Sequence, residues 1–330
     1  MEQPGSDWST KTGSTMVRIG EHSLFVSVSG PPRTLSDPLV IILTGAGDVA
    51  SSYTALAPLV AQFARILVYD RSGLGRSESG PKGSAVTAAE ELHKMLHKMQ
   101  LSPPLILAAH SYGGIVAREY LHLYPSDVAG LVLADSSTER QGDYFRIPDP
   151  SISAVQGDLK FAQVTGLRAD TVLSRDEWRT RAIDIARGAE AAQAEANSLV
   201  AVCHTLAEKK QIDNQAMGSR PVSVIRCNGA RDYERIYQRG VEMGYGSLQQ
   251  QKEFRDLLDR WPGIDRDLQE EQLRLSSTTR LVHLSECGHN VHLLRPDLVA
   301  AEIHWVIEQL GCRSCDASFK IVSPSFASPD

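Results

Sequence analysis

Four apolar runs without polar alternation constrain this chain more than any other feature. Leu39-Val40-Ile41-Ile42-Leu43, Ile66-Leu67-Val68-Tyr69, Leu105-Ile106-Leu107 and Leu131-Val132-Leu133-Ala134 each run toward glycine or polar residues. A strand covered on both faces reads this way, because neither side meets water. Between the runs lie helical patterns. Residues 51–63 place Leu56, Val60 and Phe63 on one side, residues 86–100 repeat Leu92, Met95, Leu96 and Met99 at three and four, and 115–124 can continue as a third helix. Strands that alternate with helices form a parallel sheet with helices on both faces, since parallel neighbours need long crossovers. In such sheets ligands sit beyond the carboxyl ends of the strands.

The rest of the chain fits around that core. Residues 1–15 are polar and expected to be loose. Residues 17–19 and 24–28 flank Gly20, Glu21 and His22 as an antiparallel hairpin, and 221–225 and 280–284 supply two later strands. Across 136–220 the alternation breaks. Ser174 with Glu177 forms a capping box, and a helix over 190–209 aligns Ala192, Ala196, Leu199, Cys203 and Leu206. This stretch is expected to be a helical cap over the ligand edge, inserted between core segments 16–135 and 221–311. A second excursion, 233–279, predicts helices over 248–260 and 268–275, broken at Trp261-Pro262-Gly263. Pro296 opens a final helix that buries Val299, Ile303, Val306 and Leu310. Beyond it, 312–330 turns to serine, proline and small residues and is expected to be disordered.

Composition excludes several classes. The net charge of −6 and the lack of a basic block argue against nucleic acid. No apolar run approaches the roughly 18 residues of a membrane helix, and no basic start leads into an apolar leader. Five cysteines are an odd number, and Cys312-x-x-Cys315 lacks a second pair for zinc. A reduced, cytoplasmic setting is expected. His93 and His97 stand four apart on a helix but are surrounded by Lys94 and Lys98, so a solvated face is expected there rather than a metal site. No feature of the sequence specifies an oligomeric state.

The chemistry centres on Leu105 to Gly114, LILAAHSYGG, where a buried strand stops at Ser111 and a glycine pair follows. A serine lifted clear of a sheet on a strained strand-to-helix turn needs small residues two before and two after, here Ala109 and Gly113. A neutral serine is a weak nucleophile; it needs an adjacent base, and the base needs a carboxylate to orient it. Ser111, Asp232 and His289 each fall just after a core strand, in that order.

These motifs, together with Thr44-Gly45-Ala46-Gly47, Asp70 to Ser77, Gly229 to Asp232, and Gly288-His289 with the following Asn290 to Asp297, resemble the α/β-hydrolase superfamily over about residues 16–311. The resemblance is to the serine branch with a helical cap after the sixth strand, and implies an α/β fold with a mostly parallel eight-stranded sheet. It implies Ser111 as nucleophile, His289 as base then acid, and Asp232 as the orienting carboxylate. Asp135, at the end of the neighbouring strand, is the alternative acid, and Glu139 a remote third. The oxyanion hole implied is the backbone N–H of Tyr112 with that of Ala46, beside Gly45. Thr44 stands where many relatives have histidine, so a shorter side chain must support this loop. His292 could line the pocket or be structural, His110 is expected to serve packing, and Asp70 and Arg71 to stabilise their glycine turn.

Serine at the elbow argues against the epoxide hydrolases and haloalkane dehalogenases of the superfamily. The activity implied is hydrolysis of an ester, thioester or lactone of a small to medium hydrophobic molecule through an acyl-serine. No metal or organic cofactor is implied. Cyclase, carbon–carbon hydrolase or lyase chemistry, and ligand binding with residual turnover, are the alternatives that such a shell also supports.

Overall fold

The computed structural model describes residues 7–80 and 84–311; the expected disordered tail and Cys312-x-x-Cys315 lie outside them. Eight strands form one sheet: β1 (Gly13–Arg18), β2 (Ser23–Ser29), β3 (Leu39–Leu43), β4 (Arg65–Tyr69), β5 (Leu105–His110), β6 (Val128–Ala134), β7 (Val222–Cys227) and β8 (Thr279–Leu284). The order is β1-β2-β4-β3-β5-β6-β7-β8. Pairings β1–β2 and β2–β4 are antiparallel and all others parallel.

The unalternating runs are two-faced, as their composition requires. Leu39, Ile41, Leu43, Leu105, Leu107, Leu131 and Leu133 pack on one side against α2 (Ala85–Lys98) and α3 (Gly113–Leu123). Val40, Ile42, Ile106, Ala108 and Val132 pack on the other against α1 (Leu56–Val60) and α13 (Pro296–Gln309). Each of these leucine, isoleucine and valine side chains contributes about 1.5–3 kcal/mol on burial. Both faces are thereby covered.

Three local expectations change. The N-terminal stretch is pinned from Asp7 onward: buried Arg65 donates to the carbonyls of Trp8 (2.7 Å) and Gly30 (2.8 Å), and also to Lys11 O. The expected helix over 51–63 is split into a 3-10 turn, Ala50–Tyr53, and α1. The third change concerns the second excursion.

Between β6 and β7 lie α4 (Gln141–Tyr144), α5 (Pro150–Gln156), α6 (Phe161–Val164), α7 (Leu167–Asp170), α8 (Arg175–Arg187) and α9 (Ala189–Ala207). The capping box of Ser174 and Glu177 opens α8. Between β7 and β8 lie α10 (Gly229–Glu242) and α11 (Leu248–Glu271). No break occurs at Pro262, which sits inside α11. An internal proline costs a helix about 3 kcal/mol; burial of Phe254, Leu257, Leu258 and Leu268 on both sides of it outweighs that. Val155 of α5, Ile236 of α10 and Phe254 and Leu258 of α11 share one apolar cluster. The two insertions therefore pack against each other as one unit. A short α12 (Val291–Leu294) precedes α13.

Candidate active site

Ser111 occupies the single residue position between β5 and Tyr112, the N-cap of α3, with φ of 52°. That left-handed conformation is rare for a residue with a side chain and marks a strained position. The two glycines that follow allow it. A Cβ on Gly113 would lie 2.1 Å from Leu43 O, and one on Gly114 2.5 Å from Ser136 Cβ. The turn thus closes directly on the end of β3. Gly113→Ala is expected to destabilise by about 1–3 kcal/mol, the usual cost of overpacking, and to lower the thermal midpoint measurably; an unchanged midpoint would contradict this packing.

Parallel register brings the partners beside the serine. His110 pairs with Ala134 across β5 and β6, so Ser111 and Asp135 leave adjacent strand ends side by side. Asp135 also has a positive φ, 45°. Its N–H donates to Ile225 O (2.7 Å), and its Oδ1 accepts from Cys227 N (2.9 Å). Oδ2 is 2.6 Å from Nδ1 of His289, which lies on the loop between β8 and α12. The carboxylate facing this ring is Asp135, which corrects the expectation for Asp232.

The reason lies in how β7 ends. Asn228 caps α10 at once, its Oδ1 accepting from Arg231 N (3.2 Å), so Asp232 is wound into the first helical turn. There its carboxylate lies under Gly288, where a Cβ would come within 2.1 Å of it, and 3.3 Å from Arg231 Nη1. Burial raises the Asp232 carboxyl above its usual range, with Arg231 and His289 opposing. Glu139, the remote third, is bound in an ion pair with buried Arg118.

His289 keeps 37% of its side chain exposed. Burial disfavours its cation, but the Asp135 hydrogen bond and charge, followed by the charges of Asp232 and Asp265, raise its pKa above 6.5. Asp265, from α11, is itself pushed up to about 6 by burial and by Asp135, against the pull of Arg226 at 2.7 Å. Nothing in the sequence pattern marks Asp265, because the fold alone brings α11 to this edge.

The loop after β3 lies against the elbow. A Cβ on Gly45 would sit 3.0 Å from His110 Nδ1 and 3.4 Å from Ser111 Cβ, so a side chain there would press on the elbow. Ala46 is exposed while Gly45 and Gly47 are buried. Tyr112, at the start of α3, is among the residues whose N–H has no intrahelical acceptor. Thr44 does support the loop: its Oγ1 donates to Asp48 O (3.1 Å), and Arg71 donates to Thr44 O (2.7 Å) and Gly45 O (2.7 Å). Asp70 behaves as expected, accepting from Ala50 N (2.6 Å) and Arg76 N (2.9 Å) beneath Gly75. Arg71 does not; it serves the loop after β3 instead.

His292 is buried to 1% side-chain exposure, stacked on Tyr53 with ring centroids 4.5 Å apart and 3.2 Å from Asp48 Oδ2. This removes it from any solvent-facing pocket wall. His110 does more than pack: burial and the neighbouring charges of His292 and His289 depress its pKa, keeping it neutral, and its Nε2–H donates to His289 O (2.9 Å). Asp48, His110 and His292 are all buried, with ligand-type atoms within 4.8 Å of one another. Burial raises the Asp48 carboxyl, but His292, Arg181 and Ser52 together hold it well below the usual range. With Arg181 already 3.6 Å from Asp48, the local charge is balanced, and the cluster fits a packed, ion-paired support for the His289 loop, reached through His110 Nε2, better than a cation site.

The strand order, the helices on both faces and the elbow on β5 define an α/β-hydrolase fold. The chain belongs to the alpha/beta hydrolase family, whose model matches residues 40–302. An AB hydrolase superfamily protein of Gibberella zeae is 29% identical over 86% of this chain and 91% of its own length. The "Probable transporter efuK" of Hormonema carpetanum is 30% identical over 97% of this chain, which spans about half (47%) of that relative. Among solved structures, Cfl2 from Burkholderia cenocepacia superposes with a TM-score of 0.63 at 18% identity, over 89% of this chain and 95% of its own. The enol-lactonase from Burkholderia xenovorans LB400 gives 0.54 at 11% identity, over 89% and 100%. Such distant likenesses speak to the fold. Among the described residues no helix is long and apolar enough to cross a membrane.

Proposed function

We propose that this chain is a serine hydrolase that transfers an acyl group from a carboxylic ester, thioester or lactone of a small to medium hydrophobic molecule to water. The observation that carries the reading is the convergence of Ser111 on its strained turn, the His289–Asp135 pair, and the bare backbone of Gly45 at one sheet edge. Ser111 Oγ attacks the acyl carbon while His289 Nε2 takes its proton. Asp135 holds Nδ1–H and stabilises the imidazolium, the role such a carboxylate has in a triad. Negative charge on the carbonyl oxygen is met by the N–H groups of Ala46 and Tyr112. Collapse of this intermediate expels the alcohol or thiol, protonated by His289. Water, deprotonated by the same base, then releases the acid and restores Ser111. Nonidentical chemistries share this fold, so the assignment rests on the site and not on the fold.

Chain-length series of aryl esters test it, with stopped-flow detection of an aryl-alcohol burst equal to the enzyme concentration. Absence of turnover by the folded protein across the series would defeat the reading. The pH profile adds a second check. A base works in its neutral form, and the His289 cation is favoured here, so kcat/KM should rise with pH through a midpoint above 6.5. Asp135→Asn removes the leading favourable contribution and should move that limb to lower pH. A wild-type limb at or below 6.5 would show that the imidazolium is not stabilised.

A further inference from the structure

We propose that Glu195 of the cap helix α9, acting through Arg71, is a positioning residue that aims the Ala46 N–H at the reacting carbonyl oxygen. Seating the cap and completing the oxyanion hole are then one event. The inference rests on the hydrolase reading above. Glu195 grips Arg71 with both oxygens, Oε1 at 2.6 Å from Nε and Oε2 at 2.8 Å from Nη2, and Oε2 also accepts from Gly47 N at 2.8 Å. Arg71 in turn holds Thr44 O, Thr44 Oγ1 (2.8 Å) and Gly45 O, and its guanidinium lies 5.4 Å from the centre of the Tyr112 ring. One buried cation thus holds the carbonyl of the peptide that carries the Ala46 N–H and lies over the Tyr112 ring.

Peptide geometry converts this grip into direction. In a trans peptide the C=O and the N–H point opposite ways. Gly45 O is fixed on Arg71, so the Ala46 N–H must point away from Arg71. A rotated 45–46 peptide would swing that donor out of place, and glycine at 45 offers little steric resistance to such rotation. Arg71 and Glu195 have only 3% and 16% of their side chains exposed. Burial opposes the Arg71 charge, and Glu195 more than offsets this. The helix fits closely enough to hold the carboxylate there: a Cβ on Gly47 would lie 2.6 Å from Ala192 Cβ, and one on Gly188 2.9 Å from Leu74 Cα.

The test compares Glu195→Gln, which keeps an oxygen acceptor for Gly47 N, with the double variant Arg71→Met/Glu195→Met, which leaves no unpaired buried charge and should therefore fold. Exposed Glu190→Ala on the same helix is the control. Two readouts are taken: steady-state aryl-ester kinetics, and amide hydrogen exchange of the segment 43–50. The double variant should lose about 100-fold in kcat, the scale of one oxyanion donor, with KM within about threefold of wild type. Its 43–50 segment should exchange faster than in wild type, and Glu195→Gln should stay within about tenfold of wild-type kcat. Wild-type kcat or unchanged exchange in the folded double variant would overturn the proposal. If the wild type itself shows no Ser111-dependent turnover while the segment still loosens, the hydrolase reading fails, and the catalytic role of Glu195 fails with it.

Discussion

Ser111→Ala should lower kcat for an activated ester by about a millionfold, the loss seen when a triad serine is removed, while leaving the thermal midpoint unchanged or raised. The second half of this expectation follows from the backbone. Ser111 is held at φ of 52° by its surroundings, with its N–H on Ala134 O (3.4 Å) and its carbonyl accepting from Ser137 N (2.9 Å) and Gly114 N (2.9 Å). None of these bonds uses the hydroxyl. Loss of turnover without loss of stability is therefore the signature of a side chain kept for chemistry. A fall of less than tenfold would mean that the hydroxyl is not the nucleophile.

The second large effect separates the two candidate acids. Asp135→Asn should cost about 10⁴ in kcat, because an amide facing Nδ1 favours the wrong tautomer of the base. Asp232→Asn should cost about tenfold or less, since this carboxylate supports the Gly288-His289 backbone and contributes charge but does not face the ring. Steady-state kinetics on both variants, with circular dichroism to confirm folding, read the difference. Equal losses, or a larger loss at Asp232, would return the orienting role to the α10 carboxylate.

The distinction between these acids shows where sequence reasoning reaches its limit. The two-faced strands, their order around Ser111 and the position of His289 were legible because burial on both faces and a strained turn each restrict residue types locally. The acid was not. Asp135 and Asp232 both follow core strands, and what separates them is where the chain goes next. After β7 it enters α10 within two residues, winding Asp232 onto the helix, whereas after β6 the positive φ of Asp135 turns its carboxylate toward β7 and His289. Arg71 was misread for a related reason. It belongs to a glycine turn in sequence, but in space its guanidinium crosses to the loop after β3 and meets Glu195, 124 positions away along the chain. Pro262 misled in the opposite direction, because a local helix-breaking preference was outweighed by tertiary packing along α11. Long-range partners of buried charges leave no periodic trace.

The most direct test of the central claim is covalent. The wild-type protein is incubated with a fluorophosphonate and followed by intact mass and peptide mapping. The account predicts one adduct per chain on the Ser111 peptide, formed with loss of fluoride, absent in Ser111→Ala and strongly slowed in Asp135→Asn. A folded wild-type protein that forms no adduct, or forms one on another residue, would contradict the assignment of Ser111 as an activated nucleophile.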